Sequence, residues 1–186
     1  MKPSILLATY TLIFSSSVYA KQTPLSELNG MDLVKDQVIQ VNLTEATSEA
    51  TVLVFLSARC PCSNSHEGTL EDLSKRFPTV RFVGIHSNSD EPANEAQSHF
   101  KNSPIHFPMV QDKNSKIAEA FGAFKTPHVF VISKSAKILY QGGVDDSHQA
   151  SQAGRHYLAD ALTAIREGKE PEVNQARTLG CAIERD

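Results

Sequence analysis

The chain has 186 residues, of which 40% are hydrophobic and 21% are charged, and its formal net charge is −3. This length is enough for one domain with a full core, and the composition is that of an ordinary soluble protein. No run of lysine or arginine occurs in the sequence, which argues against nucleic acid or an anionic membrane as a partner.

The first twenty residues differ from the rest of the chain. Lys2 is their only charged side chain, residues 5–14 are mostly apolar, and Ala20 ends a stretch rich in serine. This pattern predicts a secretory signal peptide that is cleaved after Ala20. A short membrane anchor is the alternative, but the apolar stretch is shorter than the roughly 20 residues that cross a bilayer. We therefore expect no stable membrane span after cleavage, and export to a bacterial periplasm, where disulfides persist.

The mature chain, residues 21–186, is expected to form a single domain with alternating strands and helices. Residues 21–31 are expected to be an extended lead-in with a possible turn of helix, and residues 38–43 a strand or hairpin at the sheet edge. Apolar runs and helical spacing then predict a regular order of elements. In chain order these are strand 51–56, helix 61–77, strand 80–86, helix 92–101 capped by Asp90, strand 107–110, helix 115–121, strands 128–133 and 137–141, and helix 151–167.

This alternation predicts an α/β fold in which helices cover both faces of a central sheet and the final hairpin adds an antiparallel pair. A polar tail begins at about residue 169. Ligands of such sheets lie at the carboxyl ends of the strands. Cys60 follows strand 51–56, and the site is therefore expected around it.

Cysteine is the residue type that most clearly indicates the chemistry. Cys60 and Cys62 flank Pro61 at the junction between the first buried strand and its helix, and Cys181 is the third cysteine. Pro61 fits the first helical position, where its missing N–H costs nothing. The free N–H groups and the positive end of a helix lower the pKa of a thiol placed there. An odd number of cysteines in an exported chain indicates redox activity rather than a structural scaffold.

The order of elements, with Cys60 after the first core strand and Thr126-Pro127 before the hairpin, resembles the thioredoxin fold. The extra helix and strand between residues 90 and 110 resemble the redoxin branch. Segments 126–132, 140–147 and 180–183 resemble a peroxiredoxin-like subgroup of the alkyl hydroperoxide reductase and thiol-specific antioxidant family. The resemblance covers roughly residues 34–186. It implies a thioredoxin-like fold with a central mixed sheet, with Cys60 as the nucleophile.

The same resemblance makes Pro127 a cis-proline whose loop, with Thr126, shapes the groove for an extended thiol substrate. Two positions depart from the related families. Ser63 stands where thioredoxins have their second cysteine, and Leu53 stands where peroxiredoxins have a proline, although Ser57 keeps the hydroxyl of the peroxiredoxin motif. Neither family's mechanism can therefore be transferred as a whole.

Two routes are open for the oxidised site. A Cys60–Cys62 disulfide would close a small, strained ring and act as an oxidant. Alternatively, a peroxide oxidises Cys60 to a sulfenic acid, which Cys62 resolves, or Cys181 if the tail folds back. Ser57 is a candidate hydrogen-bond donor to the thiolate or to a peroxide oxygen. Arg59 either stabilises the thiolate or is a solvated surface side chain.

The predicted function is thus a thiol-dependent oxidoreductase that acts on a protein disulfide or a peroxide and is recharged by a reducing partner. No organic cofactor is implied, because electrons travel on cysteine sulfur.

The competing class is a copper or zinc carrier. Its ligands would be Cys60, Cys62, His66 and His128, with His86 nearby, because thiolate and imidazole suit Cu(I) and Zn. Copper-delivery proteins of similar fold have three residues between their cysteines, whereas this chain has one. A binding module without catalysis is the third class.

Overall fold

The protein is described here by a computed structural model that covers residues 21–45 and 47–185. The predicted signal peptide, residues 1–20, lies outside the described residues. Within those residues, no helix combines the length and the apolar character that crossing a membrane requires.

Short strands and four α-helices alternate along the described chain. The strands are β1 (Glu27–Asp32), β2 (Gln37–Asn42), β3 (Ala50–Leu56), β4 (Val80–His86), β5 (Met109–Gln111), β6 (Lys125–Thr126), β7 (His128–Ser133), β8 (Ile138–Gly142) and β9 (Cys181–Ala182). The α-helices are α1 (Pro61–Arg76), α2 (Ala93–Asn102), α3 (Lys116–Phe121) and α4 (Tyr157–Arg166). Single 3₁₀ turns, Lys113–Ser115 and Ala150–Gln152, precede α3 and α4.

The main sheet has seven strands in the order β2-β1-β5-β4-β3-β7-β8. Strand β3 pairs in parallel with β4 and antiparallel with β7, and β4 pairs in parallel with β5. Strands β6 and β9 form a separate antiparallel ladder. The predicted α/β thioredoxin-like fold with a central mixed sheet is confirmed, and α2 and β5 are the predicted extra helix and strand.

Strand β3 lies in the interior of the sheet, between β4 and β7, and every one of its residues is buried. Alternate side chains of a strand point to opposite faces. Val52, Val54 and Leu56 accordingly pack into the core on one face, with the apolar side of α1. Leu53 and Phe55 pack into the core on the other face. The helices therefore cover both faces, and the carboxyl end of β3 stays free to present Cys60.

The amino-terminal segment differs from its expectation, because Glu27–Asp32 forms strand β1 rather than an extended lead-in. Its local sequence has little β propensity, so pairing with neighbouring strands decides its structure. It pairs residue for residue with β2. The carboxylate of Asp32 is buried, and its Oδ1 accepts hydrogen bonds from the backbone N–H groups of Val34 (3.0 Å) and Met109 (3.2 Å), which ties the hairpin to the rest of the sheet.

Two predicted helix starts were wrong. Asp90 does not cap α2, which begins at Ala93 with Pro92 in the capping position. The helix predicted from residue 151 begins only at Tyr157. Asp146 explains the second difference, since its Oδ1 accepts hydrogen bonds from the backbone N–H groups of Gly154 and Arg155 and holds them in a loop. The strand predicted over 107–110 is likewise displaced, to Met109–Gln111.

We expect Val54→Ala to lower the free energy of unfolding by about 2–3 kcal/mol, because it removes two buried methyl groups and leaves a cavity. Val54 is 0% exposed in the centre of β3. The matched control is Val38→Ala on β2, where the side chain is 81% exposed and the expected loss is below about 1 kcal/mol. Urea unfolding of both variants checks this, and equal losses would contradict the assignment of β3 to the core.

Candidate active site

Cys60 lies at the junction that the sequence predicts, between the carboxyl end of β3 and the first turn of α1. It occupies the capping position with an extended backbone (φ −76°, ψ 115°), and Pro61 begins the helix. Residue Cys60 is only 2% exposed. From the first helical turn, the backbone N–H of Ser63 interacts with its sulfur, and this position at the helix start favours the negative charge of a thiolate.

Three neighbours contact the Cys60 sulfur. The Cys60 thiol faces the backbone carbonyl of Thr126 at 3.3 Å, and the backbone N–H of Cys181 donates to the sulfur at 3.4 Å. Burial by itself raises the pKa of Cys60. Hydrogen bonds from Cys181 and from the backbone N–H of Ser63 outweigh that effect and lower the pKa below its usual value. The geometry therefore suits a nucleophilic sulfur.

Cys181 is brought to the site by the folded-back tail. Strand β9 pairs with β6 so that Cys181 lies directly opposite Thr126. The residue as a whole is exposed, and its backbone N–H is hydrogen-bonded to the sulfur of Cys60. Desolvation of the Cys181 sulfur, followed by its interaction with the Cys60 side chain and the charge of that side chain, raises the pKa of Cys181 to about 12. Cys181 is thus a thiol held beside a sulfur that ionises more readily.

Cys62 lies on α1 and has its described hydrogen-bond contact with the tail. It is 6% exposed, and its Sγ faces the backbone carbonyl of Leu179 at 3.7 Å. Burial, followed by the charges of Cys60 and Asp145, raises the pKa of Cys62 to about 11. All three cysteines are free thiols in this structure. A resolving role for Cys62 remains a prediction, without a contact to Cys60 among the described hydrogen bonds.

The loop before β7 completes the wall of the site. The peptide bond between Thr126 and Pro127 is cis, as the resemblance implied. Thr126 contributes its carbonyl oxygen to the Cys60 contact, and its own hydroxyl is buried without a hydrogen-bond partner among the described residues. The loop thus presents backbone atoms, rather than a charged side chain, to the sulfur.

Ser57 supports the backbone of the cysteine loop instead of contacting the sulfur. Its Oγ accepts hydrogen bonds from the N–H groups of Cys60 (2.9 Å) and Arg59 (3.2 Å), and its hydroxyl donates to the carboxylate of Glu91. Because the hydroxyl hydrogen is already committed to Glu91, it is not directed at the thiolate or at an incoming peroxide. Ser57 therefore holds the N–H of Cys60 in position.

Glu91 is a site residue that the sequence analysis missed. Its buried carboxylate accepts hydrogen bonds from the N–H of Ala58 at 2.8 Å and contacts Nε2 of His86 at 2.9 Å, in addition to the bond from Ser57. Burial acts to raise its pKa, but the hydrogen bonds from His86, Ser57 and Ala58 prevail and lower it to about 2. No local pattern identifies it, because Asp90-Glu91-Pro92 resembles an ordinary helix start.

Arg59 is a surface side chain and does not contact the thiolate among its described interactions. Its guanidinium binds the carboxylate of Glu95 through two hydrogen bonds, of 2.8 and 2.6 Å, and donates to the backbone carbonyl of Asp90 at 3.0 Å. The side chain is half exposed. Its described contacts lie along the loop before α2 and do not include the sulfur of Cys60.

The metal-binding alternative predicted that cysteine and histidine side chains converge, and they do not. The ring of His66 is buried, with Nδ1 on the carbonyl of Cys62 (2.7 Å) and Nε2 on the carboxylate of Asp145 (3.0 Å), so both nitrogens are occupied. His128 packs against Phe124 and Phe130, and burial lowers its pKa to about 4. Across residues 21–45 and 47–185, no group of three or more His, Cys, Asp or Glu side chains could hold a metal ion.

Comparison with known proteins places these features in context. A family model described as redoxin matches residues 21–156. A search of the curated proteins gives no match. An uncharacterized conserved protein from Geobacillus kaustophilus has 25% identity and a TM-score of 0.75, covering 90% of this chain and 92% of that one.

Two further solved structures share the fold at lower sequence identity. A hypothetical protein from Sinorhizobium meliloti has 22% identity and a TM-score of 0.78, covering 92% of this chain and 96% of that one. Peroxidoxin BcpB from Mycobacterium tuberculosis has 19% identity and a TM-score of 0.59, covering 80% and 96%. The family match ends before α4, so the tail that carries Cys181 lies outside the matched segment.

We expect Glu91→Gln to change how stability depends on pH. The pKa of Glu91 is about 2 in the folded protein, against 4.5 for an unperturbed glutamate. A depressed folded pKa contributes stability that is present above the unfolded pKa and is lost as the pH falls through the folded pKa. This difference corresponds to about 3 kcal/mol. The stability gap between wild type and Glu91→Gln should close by that order of magnitude between pH 6 and pH 2, since protonated Glu91 resembles glutamine.

Urea unfolding at several pH values measures this gap. Glu119→Gln, at an exposed position, is the matched control and should show a small gap at every pH. A gap for Glu91→Gln that stays constant down to pH 2 would show that the carboxylate charge is not what stabilises the cysteine loop.

Proposed function

The chain belongs to the redoxin family, and on that premise we propose that it is a thiol-dependent oxidoreductase. Cys60 is the attacking sulfur, and Cys181 is the sulfur that resolves the oxidised intermediate. One observation carries the proposal: the tail pairs with β6 so that the backbone N–H of Cys181 donates to the sulfur of Cys60 at 3.4 Å. Because the backbone of Cys181 is already held against the nucleophilic sulfur, a local movement of its side chain is enough to form a disulfide.

The oxidising half of the cycle follows from this contact. A hydroperoxide is attacked by the Cys60 thiolate, the O–O bond breaks, the sulfur becomes a sulfenic acid, and an alcohol or water leaves. The Cys181 thiol attacks this sulfenic acid, so that the Cys60–Cys181 disulfide forms and water is released. If the oxidant is a disulfide, Cys60 forms a mixed disulfide instead, and Cys181 displaces the second thiol of the substrate.

The reducing half requires a dithiol partner. Its two thiols exchange successively with the Cys60–Cys181 disulfide, the partner becomes a disulfide, and both cysteines of this chain return to thiols. All the transferred electrons are held on sulfur, so the cycle proceeds without an organic cofactor. Among the similar structures, the name peroxidoxin given to the Mycobacterium tuberculosis protein agrees with the hydroperoxide route.

The neighbouring residues have supporting roles in this proposal. Glu91 and Ser57 hold the backbone of the cysteine loop, and Thr126 with Pro127 forms the wall against which a substrate approaches. Arg59 has no role at the sulfur in this proposal, because its side chain binds Glu95 and the carbonyl of Asp90. In this proposal the signal peptide predicted for residues 1–20 is removed, and residues 21–186 act in the periplasm as a single mature domain. The metal-carrier alternative lacks support within residues 21–45 and 47–185, where the candidate cysteine and histidine side chains form no ligand group.

We expect Cys60→Ser to abolish both peroxide and disulfide turnover, because serine cannot act as the redox sulfur. Cys181→Ser should react once with an oxidant and then stop, because the resolving sulfur is missing. Mass spectrometry after one equivalent of peroxide and alkylation should show the Cys60 sulfenic acid, or its mixed disulfide with an added thiol, in Cys181→Ser.

Cys62→Ser is the matched control for this pair of variants, since Cys62 has no described contact with the Cys60 sulfur. It should form the Cys60–Cys181 disulfide at a rate similar to that of wild type. Undiminished turnover in Cys60→Ser would overturn the proposed enzyme. Normal cycling in Cys181→Ser together with trapping in Cys62→Ser would transfer the resolving role to Cys62.

A further inference from the structure

The carboxyl-terminal tail crosses the site along a defined path, and residues 174–184 are called the strap below. At one end, the N–H of Gln141 on β8 donates to the carbonyl of Asn174 (3.0 Å), and the N–H of Ala176 donates back to Gln141 (3.1 Å). At the other end, the N–H of Ser89 donates to the carbonyl of Glu184 (3.0 Å). The strap is therefore anchored on both sides of Cys60, on β8 and on the loop that follows β4.

Between these anchors the strap forms strand β9, which pairs antiparallel with β6. Strand β6 is not part of the seven-stranded sheet, and β9 is its partner in a separate ladder. Without β9, this edge of β6 would be unpaired, and an extended peptide can add to an unpaired strand edge through backbone hydrogen bonds. The strap takes that edge and places a cysteine, Cys181, opposite Thr126 and against the Cys60 sulfur.

Gly180 shows how closely the strap fits. A Cβ atom at this position would lie 2.0 Å from the carbonyl oxygen of Thr126 and 3.4 Å from the sulfur of Cys62, and the φ angle of +128° is one that other residues rarely adopt. Ile183 also anchors the strap, since it is only 7% exposed and packs into the core on one face of the sheet. The strap therefore covers the site as a packed element, not as a loose end.

Cys60 is consequently covered, and an open cleft borders the site beside the other two cysteines. An open cleft of about 480 Å³ begins at the start of α1 and reaches the other two cysteines. Its lining residues are Pro61, Cys62, Ser65, His148, Gln149, Gly180 and Cys181. A protein disulfide would have to bring its flanking backbone along the edge that β9 occupies. A hydroperoxide needs only one oxygen atom to reach the sulfur.

We propose that the strap occupies the strand edge that a protein disulfide would need, so that Cys60 reacts with small hydroperoxides while the strap is seated. The strap also brings Cys181 to the site, because β9 pairs with β6 at the position where a strand of a thiol substrate would pair. This inference rests on the proposed function and names its substrate class. In this reaction the hydroperoxide is reduced to water and an alcohol, or to two waters if it is hydrogen peroxide, and the thiols of Cys60 and Cys181 are oxidised to a disulfide.

The test displaces the strap and compares two oxidants. Gly180→Ala introduces the Cβ that collides with Thr126, and Gly68→Ala is the matched control, because a Cβ there meets nothing within 4 Å. Reduced proteins are mixed with hydrogen peroxide or with insulin, whose disulfides serve as the protein substrate, and the rate of Cys60 oxidation is measured. The readout is the ratio of the two rate constants, in which any change in the thiolate fraction of Cys60 cancels.

Wild type and Gly68→Ala should be oxidised by hydrogen peroxide and should react only slowly with insulin. Gly180→Ala should raise the insulin-to-peroxide ratio by about tenfold or more, because reaction at a covered site follows the fraction of molecules in which it is open. An unchanged ratio, or a Cys60 that does not react with peroxide in wild type, overturns the inference. Failure of the proposed function would be recognised separately, by turnover that survives Cys60→Ser.

A second measurement holds even if Gly180→Ala fails to fold. In the double variant Cys62→Ser/Cys181→Ser, Cys60 is the remaining thiol and the strap backbone is intact. The quantity measured is the rate of Cys60 alkylation by iodoacetamide divided by its rate with a maleimide that carries a large polyethylene glycol. We expect this ratio to be about tenfold higher in the folded protein than in the same protein in urea. Equal discrimination in the two states would show that the strap does not restrict access to Cys60.

Discussion

A buried carboxylate beneath the cysteine loop is the interaction on which the site depends. The loop between β3 and α1 turns sharply, and its backbone N–H groups have no partners within the helix. Glu91 and Ser57 together satisfy those of Ala58, Arg59 and Cys60. An ionised carboxylate is costly to bury unless it is richly hydrogen-bonded, and here it is, so its negative charge is stabilised and the loop is held rigid. The Cys60 sulfur thus remains beside the N–H groups that favour its thiolate.

The second sulfur is positioned by a different means, backbone pairing across a long distance in sequence. Cys60 and Cys181 are brought together by the ladder between β6 and β9 and not by any local motif. Strand β6 ends at the cis peptide before Pro127. This short strand contacts both the nucleophile, through the carbonyl of Thr126, and the tail, through its pairing with β9. The closeness of this packing, evident at Gly180, links three functions in one place: it orients Cys181, lowers the pKa of Cys60 and restricts access to Cys60.

Much of the fold and part of the site could be predicted from residue patterns. The valine-rich run in β3, the spacing of Leu70, Leu73 and Phe77, and Pro61 after Cys60 are local signals, and the structure agrees with each. The prediction was wrong where local preference is weak, at β1 and at the starts of α2 and α4. Pairing with β2 decides the backbone conformation of β1, and hydrogen bonds to Asp146 decide that of the loop before α4. The sequence analysis proposed that the Ser57 hydroxyl donates to the thiolate or to a peroxide oxygen. In the structure it donates to Glu91, a partner that is distant in sequence.

The sequence by itself determined the order of strands and helices, the location of Cys60 at the end of a buried strand, and the sulfur chemistry that follows from an odd number of cysteines. These properties depend on neighbouring residues and on the period of the apolar pattern, both of which can be read along the chain. Only the tertiary structure decided that Cys181 rather than Cys62 contacts Cys60, that His66 is committed to Asp145, and that the polar tail covers the site. Each of these results from contacts between segments that are far apart in sequence, and no local preference of the chain specifies such contacts.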